Sequence, residues 1–349
     1  MHTRSSACAQ NVFQNLANVV SYLLCGLIYL RKNPQDRKAT EFLEEGIRGL
    51  KGDFHPRIVS ISSDHQLGEA PKERVTQGLL PDLLQKTKWR GQVTCYLRVY
   101  LTFQMAVIGD WKSTKVQLGK LMQTSKDFDI SLEGGPLGLL SLYLKGALLQ
   151  GTGKFDAALE IYESKKLDIT GTRTSNLNLS ESMERDIRLL ASLSRVCILQ
   201  LDDRRNNDTN SALIHALEPL CSSHPSQEIR TAYHLILAII RTNPEAQLFE
   251  TKRNLRAALN GAQATGNQLF ICITLNVMCS RFFTDVVGPQ AEKSAQAAAA
   301  TASKTGNPLW KSVAEGAISR CYDVQGKTDQ GRQSLQMART YAQKAFPDP

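Results

Sequence analysis

The chain is poor in aromatic residues (7%) and in β-branched alternation, so nothing in it reads as a succession of strands. It has eight cysteines, Cys8, Cys25, Cys95, Cys197, Cys221, Cys272, Cys279 and Cys321, but no Cys-x-x-Cys pair. Most of them sit in apolar helical stretches, which excludes a disulfide framework and reads as reduced, intracellular core packing. In that setting the sequons at Asn178 and Asn207 carry no meaning. Long hydrophobic runs are missing too. The longest, Val19 to Leu30, is too short to span a bilayer and is followed by no small-x-small cleavage site, so it reads as a buried helix. No long Lys/Arg tract accompanies the net charge of +9, which is spread as a mildly basic surface.

The signatures of catalysis are equally absent. There is no Gly-x-Ser-x-Gly elbow and no His-Glu-x-x-His. Gly151-Thr152-Gly153-Lys154 fails as a phosphate loop, because Leu148 stands where the first Gly belongs and Phe155 replaces Ser/Thr. His215, Cys221 and His224 are near one another, but zinc needs a second closing pair and none lies nearby. His234 lies in an apolar helix as a packing residue, and Glu44-Glu45 and Asp202-Asp203 read as solvated faces. The expectation is a protein without enzymatic activity, cofactor, metal, small-molecule substrate or membrane span.

What is present is helical. Ala-, Leu- and Gln-rich stretches dominate, with 42% hydrophobic and 21% charged residues. Thr265-Gly266-Asn267-Gln268-Leu269-Phe270 returns 40 residues later as Thr305-Gly306-Asn307-Pro308-Leu309-Trp310, with Ala258 and Ala262 matching Ala298 and Ala302. That period belongs to helical-hairpin arrays. The mechanism is local: Gly266 and Gly306 can close one helix in the left-handed conformation. Asn267 and Asn307 can cap the next, and Pro308 suits its first position.

Other hairpins fit the tetratricopeptide (TPR) spacing of small residue, aromatic, Ala, aromatic. Gly146, Phe155, Ala158 and Tyr162 match it, with Gly153 at the turn; the small residue lets two helices approach and the aromatics fill the groove between them. Gly109-Asp110-Trp111 with Leu118 and Leu121 is a looser copy, as are Ser319, Tyr322, Gly326, Leu335 and Ala338, and Gly26, Tyr29, Ala39 and Leu43. The fold class expected is an all-α, TPR-like solenoid over residues 1–349. Residues 52–78 form a long loop or insert, 165–180 a loop, and 255–346 the best-defined repeat pair. Helices are expected near 11–30, 35–50 and 244–264, with helical patterning resuming near Leu79 and again from Val93 to Val107.

The segment between Ile271 and Lys327, above all Gly288-Pro289-Gln290-Ala291-Glu292-Lys293-Ser294 and Gly306-Asn307-Pro308-Leu309-Trp310, resembles the fungal branch of the cohesin loading factor family. Gly134-Gly135-Pro136-Leu137-Gly138 fits the same family less specifically. The resemblance implies a nuclear, non-enzymatic TPR subunit of the cohesin loader. Its partner would be the large HEAT-repeat loader subunit, whose extended N-terminal segment the array wraps, with cohesin and chromatin contacted indirectly. The role implied is cohesin loading for sister-chromatid cohesion and chromosome segregation. The family pattern also implies further TPR units upstream of where this chain begins.

Repeat geometry makes a compatible statement about the site. In TPR hairpins the first helix of each unit lines the concave side. That places Tyr143, Ala147 and Gln150 in a partner-binding groove, with Asn276, Ser280 and Phe283, and Gly316, Arg320 and Asp323, in later units. Two alternatives stay open: a TPR scaffold of another complex, or a helical nucleic-acid binder. For the second, direct DNA contact would use Lys86, Lys88 and Arg90 around Trp89, with Lys112, Lys115, Lys120 and Lys126 on one following helix. A phosphopeptide or acidic peptide would use the same charges.

Overall fold

The computed structural model describes residues 21, 37–52, 73–169, 179–200, 207–240, 248–283 and 288–346, and side chains within them from 37–50, 87–169, 179–200, 210–240, 248–283 and 288–346. Thirteen helices and no strand occur among the described residues. They are α1 (Arg37–Gly52), α2 (Glu73–Val107), α3 (Trp111–Asp127), α4 (Gly135–Gly151), α5 (Phe155–Tyr162) and α6 (Leu179–Leu199). Then follow α7 (Asn207–Ser222), α8 (Gln227–Ile239), α9 (Leu248–Thr265), α10 (Gln268–Phe282), α11 (Pro289–Thr305), α12 (Pro308–Val324) and α13 (Thr328–Ala345).

The turns are built as their residues dictate. Gly266 and Gly306 take φ of 68° and 70°, a region that costs a side-chain-bearing residue steric strain. One residue on, Asn267 Oδ1 accepts from the Phe270 N–H at 3.1 Å and Asn307 Oδ1 from the Leu309 N–H at 3.0 Å. Asp110 and Ser226 cap α3 and α8 in the same way.

Packing runs along the array. Each helix meets its neighbour in sequence and, in alternate positions, the next but one. The core is accordingly a relay of small clusters. Cys95 and Val99 of α2 pack with Leu118 and Leu121 of α3 and Leu144 of α4. Leu193 and Val196 of α6 pack with Leu217 of α7 and Tyr233 of α8. In α11 the seam is a stripe of fully buried alanines, Ala291, Ala295, Ala298 and Ala302. Small side chains there bring α10 and α12 close to it. This is the quasi-one-dimensional architecture of a solenoid.

Three expected boundaries change. Of the loop expected over 52–78, Gly52 belongs to α1 and residues 73–78 belong to α2; residues 53–72 lie outside the described ones. Nor does helical structure pause between 79 and 93. α2 is one helix of 35 residues. Gly91 is no breaker there: a Cβ at this position would run into the Phe128 side chain, so the glycine admits close packing inside a continuous helix. The loop expected over 165–180 ends earlier, with α6 starting at Leu179; residues 170–178 lie outside the described ones, as does the helix expected near 11–30. The helix expected over 244–264 is described from Leu248, and its first residues lie outside.

Candidate partner-binding groove

Curvature defines the site. The first helices of successive hairpins touch one another: α2 with α4, α4 with α6, α6 with α8, α8 with α10 and α10 with α12. No comparable contact joins the second helices (α3, α5, α7, α9, α11, α13) among the described residues. The layer in mutual contact is the inner one, so the even-numbered helices line the concave wall. The bend is large enough to bring distant turns together. Asn307 Nδ2, at the α11–α12 turn, donates to the Val107 carbonyl at the end of α2 across 3.0 Å. Gly109 lies against the same amide, where a Cβ would sit 3.1 Å from Asn307 Oδ1.

The nine expected groove residues fall in different environments. On α4, Tyr143 is half-buried beside Tyr162, their ring centroids 6.0 Å apart, and Tyr162 Oη donates to Gln150 Oε1 at 3.1 Å. Burial raises the pKa of both tyrosines, opposed by a hydrogen bond with Ser194 of α6, so both stay neutral. Gly146 makes this cluster possible: a Cβ there would lie 2.5 Å from Tyr162 Cε1. Ala147 and Gln150 are half-buried.

On α10, Asn276 is buried and does not reach the surface; its Nδ2 donates to the Cys272 carbonyl at 2.9 Å. Ser280 is exposed, whereas Phe283, the residue that ends α10, packs against the buried cluster that includes Cys279 and Ala291. On α12, Gly316 is half-buried and Arg320 exposed. Asp323 is exposed too, but its carboxylate leans on Gly331 of α13, toward the outer layer. Ser280 and Arg320 therefore remain as solvent-facing side chains on two first helices in contact.

The metal-like trio separates. His215 is exposed beside Glu218, with Nδ1 3.8 Å from its carboxylate, while Cys221 is buried. His224 is buried in a polar knot that the sequence did not reveal. Its Nδ1 accepts the Ser226 N–H at 3.1 Å, so the proton sits on Nε2, 3.1 Å from Asp186 Oδ1 and 3.2 Å from Arg185 Nη2. Burial lowers the His224 pKa, with Asp186 opposing and Arg185 and Arg230 assisting. No group of three His, Cys, Asp or Glu side chains suited to a metal occurs among the described residues, and no helix there is long and apolar enough to cross a membrane.

The family model for the cohesin loading factor matches residues 14–329, nearly the whole array. The chain belongs to the cohesin loading factor family. Comparisons with curated proteins and with solved structures give no match. A cohesin loading factor has a role in cohesin loading and works with the loading machinery, and an all-α solenoid suits that work, since repeat arrays act through extended concave surfaces.

Proposed function

We propose that this cohesin loading factor is the TPR-type adaptor subunit of the loader, without enzymatic activity, and acts in the nucleus. Its concave wall holds an extended N-terminal segment of the large HEAT-repeat subunit, and the pair places cohesin on chromatin for sister-chromatid cohesion and chromosome segregation. The observation that carries this reading is the continuous wall of first helices from α2 to α12, bent until the α11–α12 turn meets the end of α2. A surface of this shape suits a long peptide laid across successive units better than a compact ligand.

The test is co-migration in size-exclusion chromatography with the N-terminal segment of the large subunit. A stable one-to-one complex is the expected result. A soluble, helical chain that never co-migrates sinks this reading and leaves a TPR scaffold of another complex, to be identified by co-purification.

A further inference from the structure

The concave wall meets itself where Asn307 bonds the Val107 carbonyl. The first helices all run in one direction, because the chain reverses twice per unit. The end of α2 and the start of α12 therefore lie on opposite rims of the wall. In five steps, from α2 through α4, α6, α8 and α10 to α12, the wall climbs by the length of α12, roughly 26 Å for its 17 residues. Where the rims meet, Asn307 and Gly109 are both buried. The Asn307 side chain is preset for this contact. Its Oδ1 is held by the Leu309 N–H and its backbone N–H donates to Thr305 Oγ1 at 3.3 Å, which leaves Nδ2 for Val107. Asn267, in the same place one repeat earlier, is only half-buried.

The other joints of the wall are backed by apolar packing. α2 and α4 share the cluster of Val99 and Leu144, α10 and α12 that of Cys279 and Ile318, and the three joints between are built alike. No such cluster joins α2 or α3 to α11 or α12 among the described residues. The rim contact is thus the weakest joint and the one that opens first. One net hydrogen bond separates its closed and open states by a factor of about two to ten.

We propose that this contact is a clasp: the wall opens there to admit an extended segment from the side, and its closing retains the segment. The identity of the occupant rests on the function proposed above; the clasp does not. End-on threading is the other route, and it draws each residue of a long segment past the whole wall. Side entry lays the segment across successive first helices in one step, the geometry that a repeat array offers to an extended peptide. A joint biased a few-fold toward closure suits that work. A rim sealed by apolar clusters would open too rarely to admit a segment, and a rim without contact would retain none.

The experiment uses the whole chain, with the N-terminal segment of the large loader subunit as the probe. Asn307→Ser keeps a side-chain oxygen for the cap but is too short to reach Val107. Asn267→Ser makes the same change away from the rim, and Gly109→Ala crowds the amide from the other side. Solution scattering reads the dimensions of the free chain, and stopped-flow fluorescence reads association and dissociation. Asn307→Ser and Gly109→Ala should expand the free chain and raise both rates about two- to tenfold. Asn267→Ser should match the wild type in both readouts. Gly109→Ala is strained at its φ of 76°, so Asn307→Ser carries the test should that variant unfold. An unchanged association rate in Asn307→Ser means end-on threading and overturns the proposal, as does a free chain of wild-type dimensions. If the segment fails to bind even the wild-type chain, the function proposed above falls and scattering alone decides: expansion in Asn307→Ser upholds the clasp, and its absence overturns it.

Discussion

Asn307 donates through Nδ2 to the carbonyl of Val107, joining two turns that lie 200 residues apart in the chain. The same side chain caps α12 through Oδ1, so one amide serves both a local and a global role. Asn267, its counterpart 40 residues earlier, caps α10 and has no such distant bond among its hydrogen bonds.

This pair separates capping from closure. Asn307→Asp keeps an acceptor for the cap but removes the donor and turns a carboxylate toward a carbonyl. A loss of about 1–3 kcal/mol in urea unfolding is expected, with a larger radius of gyration in solution scattering. Asn267→Asp should stay within about 0.5 kcal/mol, because Asp is as good an N-cap as Asn. Equal effects at both positions would mean that the closure contact contributes nothing.

Two glycines of the first-helix layer should respond in opposite directions. Gly146→Ala places a Cβ against the Tyr162 ring and should cost about 1–3 kcal/mol through overpacking. Gly316 has open space where a Cβ would stand, so Gly316→Ala should stabilise α12 by roughly 0.5–1 kcal/mol. Thermal unfolding followed by circular dichroism decides both.

The His224 knot gives stability a pH dependence of known sign. Its folded pKa lies below the ordinary histidine value of 6.5, so the unfolded chain takes up the proton first. Stability should be fully present above about pH 6.5 and should fall as the pH drops below it. His224→Gln should flatten that slope, and melting temperatures from pH 7.5 to 5 provide the check. A wild-type profile parallel to the variant's assigns the titration elsewhere.

Burial pushes the thiols of Cys95, Cys197 and Cys279 up to about 11 and those of Cys221 and Cys272 up to about 12. Since the thiolate is the reacting species, these five should label with a disulfide reagent at pH 8 at least roughly a hundredfold more slowly than after unfolding. Mass spectrometry of the labelled peptides reads this directly. Rapid native labelling at Cys221 or Cys272 would show that the relay of core clusters opens readily.

Groove binding is best probed at side chains that the core does not use. Ser280→Trp with Arg320→Glu alters two exposed positions on adjacent first helices. Affinity for the large-subunit segment should fall by roughly tenfold or more, with melting temperature unchanged. Undiminished binding would move the contact surface away from α10 and α12.

The candidate groove was only partly legible. The Gly146–Tyr162 packing followed from TPR spacing. Yet spacing alone put Asn276 and Asp323 in the groove, whereas one is buried and the other leans on the outer layer. A helix in the inner layer shows solvent only a narrow stripe, and neighbours on three sides decide which residues occupy it.

The sequence by itself determined the helices, their caps and the hairpin turns. These depend on interactions within a few residues: a left-handed glycine, a side-chain oxygen three positions from an N–H, an apolar face with helical period. Only the tertiary structure decided that α2 runs unbroken through Gly91, that His224 meets Asp186, and that Asn307 reaches Val107. The physical reason is accumulation. Each unit adds a small rotation to the last, set by how closely its particular side chains let two helices approach. Whether the far turns meet depends on the sum of these rotations, which no single repeat encodes.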